Sequence, residues 1–130
     1  MSQENVEVVR RALEALDRRD LDAYLEVASP DIELITPASP LQGAITGHDG
    51  IRGFFREMWT FSDASEFRVE EIRAVGDRVL AFFALTAIGP QGIQTSSRVA
   101  GVYDLEDGKI RRAHIFGDRA EALEAVGLSE

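Results

Sequence analysis

The sequence lacks several residues on which common protein chemistries depend. It contains no cysteine, which excludes disulfide bonds, thiolate nucleophiles and thiolate metal sites. Only two histidines are present, His48 and His114, and neither belongs to a His-x-His or helical His/Glu pair, so no metal site is expected. A glycine-rich phosphate loop is also missing. We therefore expect a protein that works without a metal or another cofactor.

Positive charge is scarce as well. Lys and Arg number 14 against 23 Asp and Glu, which gives a formal net charge of −9. Such a charge repels nucleic-acid phosphates and anionic lipid, so neither nucleic acid nor membrane is expected as a partner. The first nine residues carry charges where a signal peptide would need an apolar run, and no apolar stretch reaches membrane-spanning length. These features predict a cytoplasmic location.

What is present is the composition of a globular protein. The chain has 130 residues, of which 45% are hydrophobic and 28% charged. A chain of this length can bury one core without disulfide staples. We see no repeat or linker, so residues 1–130 are interpreted as a single soluble domain.

Two helices and a strand are predicted in the first third of the chain. Asp20 can accept hydrogen bonds from the free amides of a short second helix that contains Tyr24. Residues 32–36 predict a strand that Pro37 closes, and residues 38–47 predict a loop. The first helix is indicated by apolar residues at helical spacing: Val6, Val9, Leu13 and Leu16.

A third helix has the clearest periodicity in the sequence. Its apolar residues recur at helical positions i, i+3, i+4, i+7 and i+8, which predicts one wide apolar face. They are Ile51, Phe54, Phe55, Met58 and Trp59.

From Phe67 onward the pattern changes to that of a four-stranded meander. The Glu70-Glu71 pair interrupts the alternation as a bulge would, and Asp107-Gly108 predicts a type I′ hairpin turn. The alternation over residues 93–105 is weak, so the face of this strand that lines a pocket stays open at this point. Asp118 is expected to cap a final helix.

The run over residues 79–88 is apolar at nearly every position. Such a strand needs cover on both faces, which predicts a homodimer formed through one face of the sheet. The expected fold class is α+β, in which N-terminal helices pack on a highly curved antiparallel β-sheet, form a cone and enclose a pocket.

Five segments of the sequence resemble the nuclear transport factor 2-like superfamily, in particular its SnoaL-like, polyketide cyclase-like branch. They are ALDRRDLDAY at 15–24, PDIE at 30–33, GHDGIRGFF at 47–55, DGKI at 107–110 and DRAEALEA at 118–125. The resemblance implies the cone-shaped fold. It implies no single activity, because this fold hosts isomerases, cyclases, dehydratases, hydrolases, transport factors and binding modules.

Known active sites of the superfamily carry over poorly. Where the ketosteroid isomerase branch has its catalytic aspartate, tyrosine and protonated aspartate, this sequence has Thr36, Ala12 and Gly101. The cyclase branch uses an acidic residue and a histidine on the closing strands, and His114 with Asp118 is a half-match to that pair.

Two candidate catalytic residues and seven candidate ligand-binding residues follow. His114 would carry a proton and Tyr24 would assist it, although a hydrogen-bonded rim histidine and a core tyrosine are the structural alternatives. His48 is expected at the end of a helix, and Arg98 could equally face solvent or form an ion pair. The candidate ligand-binding residues are Thr36, Phe55, Met58, Trp59, Arg98, Tyr103 and Phe116.

Two functions from different classes remain open. One is cofactor-free acid–base catalysis of the isomerase, cyclase or hydratase type on a small ketone or ring compound. The other is a non-catalytic module that binds a small hydrophobic molecule or dimerises. If His114 and a tyrosine hydroxyl reach one common place in the pocket, the enzyme is favoured.

Overall fold

The computed structural model describes residues 2–60, 64–89 and 91–128, and within them the chain forms five helices and six strands. The helices are α1 (Ser2–Asp17), α2 (Leu21–Glu26), α3 (Ser39–Gln42), α4 (Gly47–Thr60) and α5 (Arg119–Ala125). The strands are β1 (Ala28–Ile35), β2 (Ile45–Thr46), β3 (Ala64–Val75), β4 (Arg78–Ile88), β5 (Gln94–Glu106) and β6 (Lys109–Phe116). The fold class is thus α+β, as predicted, and the predicted loop over residues 38–47 contains α3 and β2.

All six strands form one open sheet with the order β2-β1-β6-β5-β4-β3. The sheet is mixed rather than purely antiparallel, because β1 runs parallel to β6, with Leu34 opposite Ala113. The other neighbours are antiparallel, and the predicted bulge appears as a register shift between Val69 and Glu71. The parallel pair brings β1, which follows α2, next to β6, the last strand of the meander.

The concave face of the sheet and the N-terminal helices share one apolar core. Side chains that alternate along β4 and β5, such as Ala81, Phe83 and Tyr103, point into it. Amphipathic α1 contributes Val9 and Leu13, both almost fully buried. Burial of the apolar stripe of each helix against the sheet is the main source of stability for such elements.

The convex face is covered in part by α5. Ala122 and Leu123 of this helix pack with Leu80, Phe82 and other buried residues of β4 and β5. On the convex face, α5 of the same chain therefore covers Leu80 and Phe82 of β4. The homodimer, which was inferred from the need for that cover, stays a prediction.

Short-range signals in the sequence have their expected geometry. Asp118 accepts a hydrogen bond from the Ala120 amide at 2.8 Å, and Asp20 accepts one from the Ala23 amide at 3.1 Å. Asp107 and Gly108 both have positive φ angles, 54° and 76°, as a type I′ turn requires. None of the helices that the structure describes is long and apolar enough to cross a membrane.

Candidate functional site

A cavity of about 210 Å³ lies between the helices and the concave face of the sheet, and we call it the chamber. Its wall is almost entirely apolar. Helices α1, α2 and α4 contribute one side of the wall, and the inward-pointing residues of the strands contribute the other. The apolar lining residues are Leu13, Leu16, Leu34, Pro37, Phe54, Phe55, Met58, Phe67, Phe83, Leu85, Val99, Ala113 and Ile115.

Three hydroxyl-bearing residues complete the lining: Tyr24, Thr36 and Tyr103. The Thr36 hydroxyl accepts a hydrogen bond from the Ala38 amide at 3.2 Å. Tyr24 and Tyr103 are each only 3% exposed, and neither hydroxyl forms a hydrogen bond with any residue that the structure describes. The chamber is thus lined by two buried tyrosines whose hydroxyls lack a protein partner.

The position of Tyr103 depends on a glycine two residues before it on β5. A Cβ atom added to Gly101 would lie 2.7 Å from Cε2 of the Tyr103 ring and 2.8 Å from its hydroxyl oxygen. The ring therefore lies flat over the Gly101 backbone. Val99, Gly101 and Tyr103 share the inner face of β5, which answers the register question that the weak alternation left open. Sequence reasoning missed the role of Gly101, although a glycine within a strand is a known signal of close packing.

Burial raises the pKa of both tyrosines well above the ordinary value near 10, and the neighbouring Tyr24 raises the pKa of Tyr103 further. Both hydroxyls are therefore protonated at neutral pH and can donate hydrogen bonds. No Asp, Glu, His, Lys or Arg is among the described residues that line the chamber. The chemistry available there is hydrogen-bond donation within an apolar space.

Five of the nine candidate site residues line the chamber: Tyr24, Thr36, Phe55, Met58 and Tyr103. The Tyr24 ring meets the Phe55 ring edge-on, with 5.9 Å between the ring centroids. The side chain of Tyr24, which lies on α2, is therefore held in place by its contact with the Phe55 ring on α4.

Trp59 lies behind the chamber wall and does not line the chamber. Its ring packs on Phe55 at 5.6 Å between centroids, and the guanidinium of Arg19 lies 5.5 Å from its ring. Its Nε1 atom is buried and has no hydrogen-bond partner among the residues that the structure describes.

His114, Phe116 and Arg98 were expected at the pocket, and the structure places all three outside the chamber. Side chains alternate along β6, so that Ala113 and Ile115 point into the chamber while His114 and Phe116 point away from it. The two outward rings stack at 4.1 Å between centroids. Arg98 is an exposed residue of β5, where it forms an ion pair with Glu70 at 3.5 Å.

His114 instead lines a more open surface groove of about 580 Å³ that also includes Ile35 and Glu121. Burial and the adjacent Arg112 lower the pKa of His114, and the carboxylate of Asp104 partly opposes this. His114 and the tyrosine hydroxyls therefore do not meet at one place, and the criterion that favours an enzyme is not satisfied. His48 lies at the start of α4, as expected, with its Nε2 atom 3.1 Å from the Ala28 carbonyl oxygen.

Comparison with known proteins places these observations in a family. The model of the SnoaL-like domain matches residues 9–113. A search of curated proteins finds no match.

Solved structures of similar fold are numerous. An NTF2-like protein of unknown function from Burkholderia pseudomallei is 26% identical, with a TM-score of 0.79 over 98% of this chain and 99% of that one. An NTF2-like protein from Burkholderia thailandensis is 27% identical, with a TM-score of 0.77 over 86% of this chain and 88% of that one.

TerC, crystallised with polyporic acid, is 23% identical, with a TM-score of 0.80 over 95% of this chain and 98% of that one, and shows the fold alone. The family model matches most of the chain, and the NTF2-like structures match its architecture. The chain therefore belongs to the SnoaL-like domain family.

Proposed function

We propose that the chamber binds a small, mostly apolar molecule. The observation that carries the proposal is the chamber itself, a cavity of about 210 Å³ with an apolar wall. A dry cavity of about 150 Å³ lined by Leu, Ile and Phe is large enough to take benzene, whereas pockets for drug-sized ligands begin at roughly 300 Å³. The size of the chamber therefore fits a single ring with short substituents.

Binding is supported better than acid–base catalysis on a ketone or ring compound. A general base must lie within hydrogen-bond reach of the proton it removes. The candidate proton carrier His114 points away from the chamber, and the tyrosines are protonated donors at neutral pH. The fold relative TerC was co-crystallised with polyporic acid, which agrees with a ligand-binding role for this fold.

The experiment compares two tryptophan variants in thermal-shift titrations with benzene, toluene and acetophenone. Val99 lines the chamber and Arg98, its neighbour on β5, faces solvent, so Val99→Trp fills the cavity while Arg98→Trp is a matched control outside it. Free ligand at about 100 times its dissociation constant raises the stability by roughly 2.7 kcal/mol. We expect such a shift in the native protein and in Arg98→Trp, and none in Val99→Trp.

Two results would contradict the proposal. One is a native protein whose melting temperature none of the three compounds raises. The other is a Val99→Trp variant that keeps the full shift, because the ligand would then bind elsewhere.

The homodimer and the cytoplasmic location, both expected from the sequence, remain predictions. Sedimentation velocity tests the homodimer formed through the sheet face, in which the groove that contains His114 and Phe116, beside α5, would be part of the interface. The cytoplasmic location is tested by fractionation of the source cells.

A further inference from the structure

The two tyrosine hydroxyls in the chamber have no hydrogen-bond partner in the described protein, yet they are not sealed in the core. Among the described residues, Nε1 of Trp59 is the one fully enclosed side-chain polar atom that lacks a partner. Buried side-chain polar atoms in native proteins nearly always have a hydrogen-bond partner, and a buried group without one is costly. Tyr24 and Tyr103 come from different elements, α2 and β5, yet both hydroxyl-bearing rings line the same cavity. The hydroxyls are therefore free to donate to a molecule in the chamber, which phenylalanine at either position could not do.

We propose that Tyr24 and Tyr103 together recognise the carbonyl oxygen of a neutral ligand that carries one ring. The inference rests on the proposed function and names the ligand class. A carbonyl oxygen has two lone pairs and can accept one hydrogen bond from each hydroxyl. The apolar wall formed by side chains such as Phe55, Phe83 and Val99 would surround the rest of the ligand.

Charged ligands fit the chamber poorly. An anion would leave water for a space in which no described lining residue is cationic, in a protein whose net charge is −9. Transfer of an unpaired charge into such a space is strongly unfavourable. A cationic amine would need several acceptors, and the lining offers only hydroxyl oxygens. A ketone or lactone needs neither a cation nor an additional acceptor.

The test uses two ligands of nearly the same shape. Acetophenone carries a carbonyl oxygen where α-methylstyrene carries a CH₂ group, so their apolar contacts are alike and only the ketone can accept hydrogen bonds. Dissociation constants are measured by calorimetry for the native protein, Tyr24→Phe and Tyr103→Phe. A net hydrogen bond corresponds to about a 2- to 12-fold change in affinity.

We expect the native protein to bind acetophenone on the order of tenfold more tightly than α-methylstyrene. Each Tyr→Phe variant should weaken ketone binding by about 2- to 12-fold and leave alkene binding unchanged or tighter, because the CH₂ group of the alkene accepts no hydrogen bond. The infrared carbonyl stretch of ¹³C-labelled acetophenone should move to lower frequency in the native protein and move part of the way back in each single variant. The ligand pair and the infrared band in the native protein still show whether the carbonyl accepts a hydrogen bond in the chamber if one variant fails to fold, and the other variant then tests its tyrosine.

Equal affinity for both compounds, with an unshifted carbonyl band, would overturn this inference and leave the proposed function standing. Binding of neither compound would overturn both. A ketone preference that is undiminished in both single variants would assign the carbonyl to another donor, and so would overturn the role of the tyrosines.

Discussion

Tyr24 and Tyr103 illustrate a conflict between stability and a binding site. Each hydroxyl lacks a described hydrogen-bond partner but reaches the chamber and is not fully enclosed. Full enclosure of a hydroxyl without a partner would cost about 1–3 kcal/mol per group. Polar groups without a hydrogen-bond partner in the protein are expected where a site is prepared for a ligand. The phenol ring itself contributes to the core, so the cost belongs to the hydroxyl alone.

Alkaline pH should reveal the burial of these tyrosines. Their folded-state pKa values lie above the ordinary value of 10.0, so in alkali the unfolded chain loses protons that the folded chain keeps. The stabilising contribution is complete below pH 10 and is lost as the pH rises above it. At pH 11 the loss amounts to about 1.4 kcal/mol per tyrosine, measured as the free energy of urea unfolding.

The protein contains only these two tyrosines, which makes the control simple. The Tyr24→Phe/Tyr103→Phe double variant should lose none of its stability from this cause between pH 9 and pH 11. A native protein whose phenols ionise near pH 10 while it stays folded would show that the hydroxyls are open to water.

Residue types indicated which side chains could act in a pocket, but the strand face decided which of them lie there. Tyr24, Thr36, Phe55 and Met58 were predicted at the pocket and line the chamber. His114 has a suitable side chain, yet it occupies an outward position of β6. Side-chain direction alternates with a period of two, so a one-residue uncertainty in register exchanges the two faces.

At the scale of the element, β5 is shaped by its glycine. The Tyr103 ring occupies the space that a Cβ atom at Gly101 would need. Gly101→Ala should therefore push the ring from its place and destabilise the fold by about 1–3 kcal/mol in urea unfolding. The same substitution in a Tyr103→Leu background should cost less, since the ring that it meets is gone.

Gly53→Ala is the matched control on another element. Gly53 lies in α4, where an added Cβ atom would meet nothing within 4 Å. Alanine should stabilise this helix by about 0.5–1 kcal/mol. A Gly101→Ala variant as stable as the native protein would show that the ring can move aside at no cost.

Elements defined by short-range signals could be predicted, whereas those defined by distant contacts could not. The apolar stripe of α4, the Asp107-Gly108 turn and the caps at Asp20 and Asp118 depend on neighbours a few residues away. The parallel pairing of β1 with β6 joins residues such as Glu33 and Arg112, 79 positions apart, and no local pattern specifies it. The docking of α5 on the convex face is non-local in the same way.

At the scale of the whole molecule, net charge and local ion pairs oppose each other. The chain carries a net charge of −9, so its charges repel one another on average. Nine ion pairs join described residues, among them Arg52–Asp22 at 2.7 Å, but most of their side chains are substantially exposed. Exposed pairs contribute only about 0–1 kcal/mol each, and a few of them offset little of the long-range repulsion.

Salt should therefore stabilise the protein. The screening length falls from about 30 Å at 0.01 M to about 8 Å at 0.15 M, which weakens distant repulsion more than contacts between paired groups. We expect the melting temperature to rise by a few degrees over this range of sodium chloride, since about 1 kcal/mol corresponds to several degrees in a small protein.

The Glu57→Gln/Glu124→Gln variant reduces the charge from −9 to −7 and removes no ion pair between described residues, so its rise should be smaller. A melting temperature that falls with salt would mean that the ion pairs outweigh the repulsion among the net negative charges.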